Sequence, residues 1–356
     1  MKGFFRFIFF ITLVIGLNSC SNAGQLKFYP ANDPQIRYTG RIDFSDPLHP
    51  RFWQPGVYIE WQFEGSDCEM IINDEVLWGN SHNYLEIVVD GKARRIQTKS
   101  STDTIQIAKG LAAGKHLVRI CKNTEAGIGY LELAGVRCEK LVPLSPAPTR
   151  KMEFIGNSIT CGMGSDQSEI ACDKGVWYDQ HNAYLSYGAI TARTLNAQYH
   201  LSAVSGIGLM HSCCNMKVIM PQVFDKINMR DDSIAWDFRR YQPDVVTVCL
   251  GQNDGIQDSL LFCNNYISFL KRLRQYYPAA TIICLSSPMA DEKLTIAMKK
   301  YLTAITEEMQ KADKKIHAFF YSRQYNKGCS WHPSLEEHRQ IAEELTAFVK
   351  KLMKWG

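Results

Sequence analysis

Two hydrophobic rhythms divide this chain, and they meet near residue 150. Upstream, apolar and polar positions alternate in short runs: Val57-Tyr58-Ile59-Glu60-Trp61-Gln62-Phe63, Tyr84-Leu85-Glu86-Ile87-Val88-Val89, His116-Leu117-Val118-Arg119-Ile120 and Tyr130-Leu131-Glu132-Leu133. A period of two marks strands with one buried face. Asp90-Gly91 is a hairpin signal, because both residue types tolerate positive φ. No helical pattern interrupts residues 26–141, which therefore read as an all-β sandwich of jelly-roll type. Residues 142–150 carry Pro143, Pro146 and Pro148 and read as a stiff linker or boundary.

From 151 to 356 the rhythm changes. Strand-like runs at Met152–Ile155, Tyr199–Val204, Asp244–Leu250, Thr281–Ser286 and Ile316–Tyr321 alternate with helical stretches near Ala183–Ala197, Leu260–Tyr277, Glu292–Lys311 and Leu335–Lys354. The last helix carries Ile341, Leu345, Phe348 and Leu352 on one face, and Ser334 with Glu337 forms a capping-box signature at its start. Alternating β and α predicts a parallel sheet covered by helices on both faces.

A length of 356 residues suits two such domains, and a hydrophobic share of 46% with 21% charged residues excludes a disordered chain. The net charge of +4 is spread along the sequence without a Lys/Arg block, so a nucleic-acid partner is not expected. The extreme N-terminus reads as a targeting segment: Lys2 and Arg6 flank the start of an apolar run, Phe4 to Leu17, too short for a comfortable membrane span. It ends in Leu17-Asn18-Ser19-Cys20, which resembles a bacterial lipobox. That resemblance implies removal of residues 1–19, lipid on Cys20, and an exported lipoprotein attached to a membrane, periplasmic or at the cell surface, through that lipid alone.

Twelve cysteines are many for this length, and setting Cys20 aside leaves an odd number. Export permits disulfides. Cys249 and Cys284, inside apolar strand-like runs, read as buried free thiols instead. Cys161 and Cys172 are candidates for a disulfide that fixes the loop Cys172–Asp179. No Cys/His cluster has zinc spacing, so a structural metal is not expected.

Ligands of parallel α/β sheets bind beyond the carboxyl ends of the strands. The residues placed there are Gly156-Asn157-Ser158, then Ser205-Gly206-Ile207-Gly208, then Gly251-Gln252-Asn253-Asp254, and finally Cys329-Ser330-Trp331-His332-Pro333 before the last helix. Together they supply what acyl transfer requires: a hydroxyl, an imidazole able to take its proton, and donors for a developing oxyanion. In this reading Ser158 is the nucleophile and His332 the base. The oxyanion donors are the Ser158 and Gly206 amides and the Asn253 side chain, aided by the positive end of a helix starting at Ser158. Trp331 beside the base is a candidate substrate contact, or equally a residue that packs under its loop. Trp177 and Tyr178, in the Cys172–Asp179 loop, are further candidate substrate contacts. His181, His200, His211 and His317 read as structural.

The blocks Gly156-Asn157-Ser158-Ile159-Thr160, Gly206, Gly251-Gln252-Asn253-Asp254 and Trp331-His332-Pro333 resemble the SGNH (GDSL-like) hydrolases. With a β-sandwich ahead of them, they look like carbohydrate esterase family 2. The resemblance implies an α/β/α three-layer domain and a serine esterase that removes acetyl groups from acetylated xylan, glucomannan or related polysaccharides and oligosaccharides, without a cofactor. Two departures stand out. Asn157 replaces the family's usual Asp beside the nucleophile. The positions three and two residues before the histidine, where an acid is usual, hold Cys329 and Ser330. Either His332 is oriented by a backbone carbonyl in a Ser–His dyad, or an acid such as Asp173, Asp179 or Asp254 reaches in from another loop. A catalytically impaired carbohydrate-binding protein is the rival reading, and an esterase acting on acetylated peptidoglycan or lipid another. No local motif encodes the sugar hydroxyl attacked or the oligomeric state.

The lipobox reading makes a direct prediction. Metabolic labelling with a fatty-acid analogue should tag the wild-type protein and leave Cys20→Ala unlabelled; a Cys20→Ala protein that stays labelled and membrane-bound overturns it.

Overall fold

The structure is a computed structural model that describes residues 25–230 and 234–356. The signal-like segment and Cys20 lie outside these. The N-terminal domain is built from strands β1 (Lys27–Pro30), β2 (Arg37–Thr39), β3 (Ile42–Asp43), β4 (Arg51–Phe52), β5 (Tyr58–Asp74), β6 (Tyr84–Val89), β7 (Lys92–Gln97), β8 (Thr102–Ala108), β9 (Lys115–Lys122) and β10 (Leu131–Val142). Their pairings are all antiparallel and join them into one hydrogen-bonded sheet. The strand expected over 57–63 is longer than its pattern. β5 runs on to Asp74, pairing through its first half with β9 and through its second with β8. Its inward side chains Ile59, Trp61, Phe63, Met70 and Ile72 fill one core with Leu85, Ile87, Val118 and Ile120. The hairpin expected at Asp90-Gly91 is present between β6 and β7, with φ of 49° and 80°, as its turn type demands.

The second domain carries strands β11 (Arg150–Gly156), β12 (Ala197–Ala203), β13 (Val245–Val248), β14 (Thr281–Leu285) and β15 (Ile316–Phe319), with helices α1 (Ser158–Cys161), α2 (Tyr187–Thr194), α3 (Met220–Val223), α4 (Ser259–Tyr276), α5 (Glu292–Met309) and α6 (Leu335–Met353). The strands are parallel in the order β12-β11-β13-β14-β15. The order reverses at β11, where the chain leaves to β12 on one side and returns to β13 on the other, and such a reversal opens a crevice at the strands' carboxyl ends. Period two sorts the side chains. Val246, Val248, Ile282 and Cys284 pack under α4 and α5, and Val245, Cys249, Ile283 and Leu285 under α2 and α6. Cys249 and Cys284 are buried free thiols, as their setting predicts. The α6 capping box forms in both directions between Ser334 and Glu337.

The two domains share their interior. Trp53 and Ala126 of the β domain enter one α/β core, and Tyr58 and Cys121 enter the other. A buried ion pair crosses the junction: Arg41 Nη2 lies 2.8 Å from Glu153 Oε1, with both side chains almost fully enclosed. Glu153 also accepts from Ser202 Oγ at 2.6 Å and from the Tyr277 hydroxyl. Arg41 also donates to the carbonyls of Lys226, at 2.8 Å, and of Phe224.

Removing one partner of a buried pair leaves an uncompensated charge, at a cost of about 3–5 kcal/mol. Arg41→Met should therefore lower the denaturant midpoint sharply, and Arg41→Met/Glu153→Gln should recover part of the loss. An Arg41→Met protein with unchanged unfolding would show that the pair does not stabilise the junction.

Candidate active site

The crevice at the reversal point holds the residues singled out by the sequence. β11 ends at Gly156, where an added Cβ would lie 2.1 Å from Thr160 Oγ1, so only glycine lets the chain fold back this tightly. Asn157 then caps α1, its Oδ1 accepting from the Ile159 N–H at 3.2 Å. A neutral amide performs this cap as an Asp would, which accounts for the first departure from the family pattern. Ser158 is the first residue of α1, so its backbone N–H has no partner inside the helix. The helix expected to start at Ser158 is a single turn, closed by Gly162 in the left-handed region. Its dipole is therefore a smaller contributor than the sequence suggests.

His332 Nε2 lies 2.8 Å from Ser158 Oγ. Its Nδ1 lies 2.9 Å from the Ser330 carbonyl oxygen. A carbonyl can only accept, so Nδ1 carries the proton and Nε2 presents its lone pair to the hydroxyl. Both ring nitrogens are thus engaged without a carboxylate. Asp254, one of the acids considered, accepts the N–H groups of Leu209, Met210 and His211. Asp179 binds the Tyr84 hydroxyl and the Val176 N–H. Neither they nor Asp173 orients the imidazole. The turn that aims the Ser330 carbonyl is strained, with Ser330 and Trp331 both left-handed at φ of 52° and 61°. It is clamped where Gly328 N–H bonds the His332 carbonyl at 2.6 Å and Cys329 N–H the Gly164 carbonyl at 2.8 Å. Burial disfavours the imidazolium and lowers the His332 pKa below its ordinary 6.5, although the Ser330 carbonyl opposes this.

The disulfide joins Cys172 to Cys329, with 5.1 Å between the Cα atoms, and not Cys161 to Cys172. Cys161 is sealed in α1 as a free thiol whose pKa burial raises well above its usual value. The observed bridge ties the loop bearing Trp177 to the turn bearing His332.

Ser158, Gly206, Asn253 and His332 line one cavity of about 390 Å³, together with Met163, Trp177, Ser205, Cys213, Cys214, Gln252 and Met289. Gly206 sits at φ 83°, and a Cβ there would meet Cys213 Sγ at 2.9 Å, so the turn requires glycine. Asn253 Nδ2 donates to the Ile207 carbonyl at 2.8 Å. Its second hydrogen remains for the cavity. Trp177 is half exposed on the wall, edge-on to His181 with ring centroids 4.9 Å apart. Tyr178 is a correction: it is buried with Tyr84 and Ile128 and is a packing residue, because the loop turns its ring inward. Trp331 is 76% exposed and lies outside the cavity lining, next in sequence to His332.

Sequence reasoning missed Glu125 and left His181 as structural. Glu125, from the β domain, is 1% exposed. Its Oε2 accepts the Ser205 N–H at 2.6 Å, and its Oε1 accepts the Ser205 hydroxyl and lies 3.1 Å from His181 Nε2. Burial alone would raise its pKa, but the bonds from His181 and Ser205 outweigh that and hold the carboxyl below its usual range. No local motif marks Glu125; its role depends on a contact between domains.

Residues 38–148 match the carbohydrate esterase 2 N-terminal family, and residues 154–340 match the GDSL-like lipase/acylhydrolase family. The chain is 32% identical over 336 residues to the cellulase/esterase CelE of Acetivibrio thermocellus, a match that covers 91% of this chain and 40% of that longer protein. It is 27% identical to an acetylxylan esterase / glucomannan deacetylase of Cellvibrio japonicus, over 98% of this chain and the whole of that one. Among solved structures, a family two carbohydrate esterase from Clostridium thermocellum in complex with cellohexaose superposes with a TM-score of 0.82 at 31% identity, covering 90% of this chain and all of that one. With both domains matched in order and the crevice residues in place, the chain belongs to the GDSL-like lipase/acylhydrolase family and, within it, to carbohydrate esterase family 2.

Proposed function

We propose that this protein is a serine esterase that removes O-acetyl groups from carbohydrate, of the acetylated xylan or glucomannan kind. The observation that carries the reading is the 2.8 Å contact from His332 Nε2 to Ser158 Oγ, with Nδ1 held by a carbonyl so that the free lone pair faces the hydroxyl. Ser158 Oγ attacks the acetyl carbonyl carbon while His332 Nε2 takes its proton. The carbonyl π pair moves to oxygen, where the N–H groups of Ser158 and Gly206 and the Asn253 amide stabilise it. Collapse breaks the bond to the sugar oxygen, which receives the proton from Nε2 and leaves as an alcohol. Water, activated by the same imidazole, then cleaves the acetyl-serine and releases acetate. The Ser330 carbonyl dipole supports the transient imidazolium in place of a carboxylate. Trp177 on the cavity wall and Trp331 at the surface beside it offer apolar faces to sugar rings. Lipid on Cys20 belongs to the same proposal, holding the enzyme at a membrane of the cell envelope where polymeric substrate arrives.

Acetate release from p-nitrophenyl acetate and from acetylated xylan should be measurable in the wild type. It should fall by at least about 10³-fold in both Ser158→Ala and His332→Ala. Acetyl esters should outpace octanoyl esters. Polysaccharide binding without acetate release would instead favour a binding protein.

The lowered pKa of His332 sets the pH dependence. The base must be neutral, and neutral imidazole predominates above its pKa, so the acid limb of kcat/KM should have its midpoint below 6.5. A midpoint at or above 6.5 would contradict the burial of this imidazole.

A further inference from the structure

The second oxyanion donor, Gly206, stands on a turn with little intrinsic stiffness. The segment Ser205-Gly206-Ile207-Gly208 follows the end of β12, and its glycines have wide conformational freedom. Yet an oxyanion donor acts only if its N–H is held within a few tenths of an ångström of the productive position. The contacts around this turn show what holds it. On one side, the Gly206 carbonyl accepts the Cys213 N–H at 2.8 Å. On the other, Ser205 is gripped twice by one carboxylate: its N–H by Glu125 Oε2 at 2.6 Å, and its hydroxyl by Oε1. A backbone and a side-chain bond to the same group leave Ser205 little freedom, and Ser205 contributes the carbonyl half of the peptide whose N–H belongs to Gly206. The carboxylate is itself held. It is fully enclosed, backed by His181 Nε2, and carried at the N-cap of the short 3₁₀ turn Ala126–Ile128, whose Ala126 and Ile128 are buried.

We propose that Glu125 is a positioning residue for the esterase: a group of the β domain that fixes the Gly206 N–H through Ser205, so that the oxyanion site is complete only when the two domains are docked. This rests on the serine-esterase reading above. It assigns the β domain a part in turnover that a substrate-binding accessory would not have. It also gives His181 a role, since its imidazole stands between the Trp177 ring and the carboxylate and keeps the latter from turning away from Ser205.

The test compares wild type, Glu125→Gln, Ser205→Ala and the double variant on p-nitrophenyl acetate, with thermal melting of each. Glu125→Gln keeps the shape and one acceptor but loses the paired grip. Its kcat should fall about 10-fold or more, short of the ~10²–10³-fold cost of deleting a donor outright, with KM within about twofold and Ser158 and His332 untouched. Ser205→Ala should lower kcat less. The double variant should be no slower than Glu125→Gln, because both changes break one contact. A folded Glu125→Gln enzyme with wild-type kcat, or one impaired only through KM, overturns the proposal, as do fully multiplicative losses in the double variant. If Glu125→Gln fails to fold, Ser205→Ala decides: a lowered kcat at constant KM and unchanged melting supports the proposal, and an unchanged kcat overturns it. A wild-type protein that hydrolyses no acetyl ester overturns the esterase reading itself, a different result from any of these.

Discussion

A backbone carbonyl holds the imidazole of His332 in this protein, and much of the site is arranged around that one bond. The Ser330 oxygen fixes which nitrogen of His332 carries its proton and which way the ring faces. A carbonyl brings no full charge and does not chase the imidazole as a flexible carboxylate can, so its direction has to be imposed by the chain. Two consecutive left-handed residues, the clamp between Gly328 and His332, and the bond from Cys329 to Gly164 impose it. Cys329, three residues before His332, is disulfide-bonded to Cys172 and pins the same turn to the loop of Trp177.

The sheet explains why Ser158, Gly206, Asn253 and His332 converge although their positions span most of the second domain. β11 carries Ser158 from its end, β12 and β13 flank it with Gly206 and Asn253, and α6 begins just after His332. Ser158, Gly206 and Asn253 each follow the carboxyl end of a strand whose own side chains are almost all buried, so the scaffold beneath them is rigid. Asn253 then stitches two of these loops together by donating to Ile207.

The β domain is no appendage. Its Arg41 meets Glu153 inside the α/β sheet, its Trp53 and Tyr58 complete the two α/β cores, and its Glu125 reaches the turn of Gly206. Burying two carboxylates at a domain junction is costly unless each is fully satisfied. Glu153 has Arg41, Ser202 and Tyr277, and Glu125 has His181 and both donors of Ser205. Such networks tolerate little misalignment, which makes the relative placement of the domains specific.

Periodicity and turn chemistry are local properties, and they determined the two domains, the parallel sheet, the α6 cap, the Asp90-Gly91 hairpin and the chain order Ser158, Gly206, Asn253, His332. The length of β5 was less legible, because the stretch Glu64-Gly65-Ser66-Asp67 interrupts its apolar alternation. The acid-free dyad was legible only as one of two alternatives, since a carbonyl acceptor leaves no residue-type signal. Three features were decided by tertiary structure alone: the Cys172–Cys329 pairing, the inward turn of Tyr178, and the contact of Glu125 with Ser205. Each depends on which distant segments the fold brings together, across 157 residues for the disulfide and 80 for the carboxylate. Hydrophobic pattern reports which face of an element is buried; it does not report what the element is buried against.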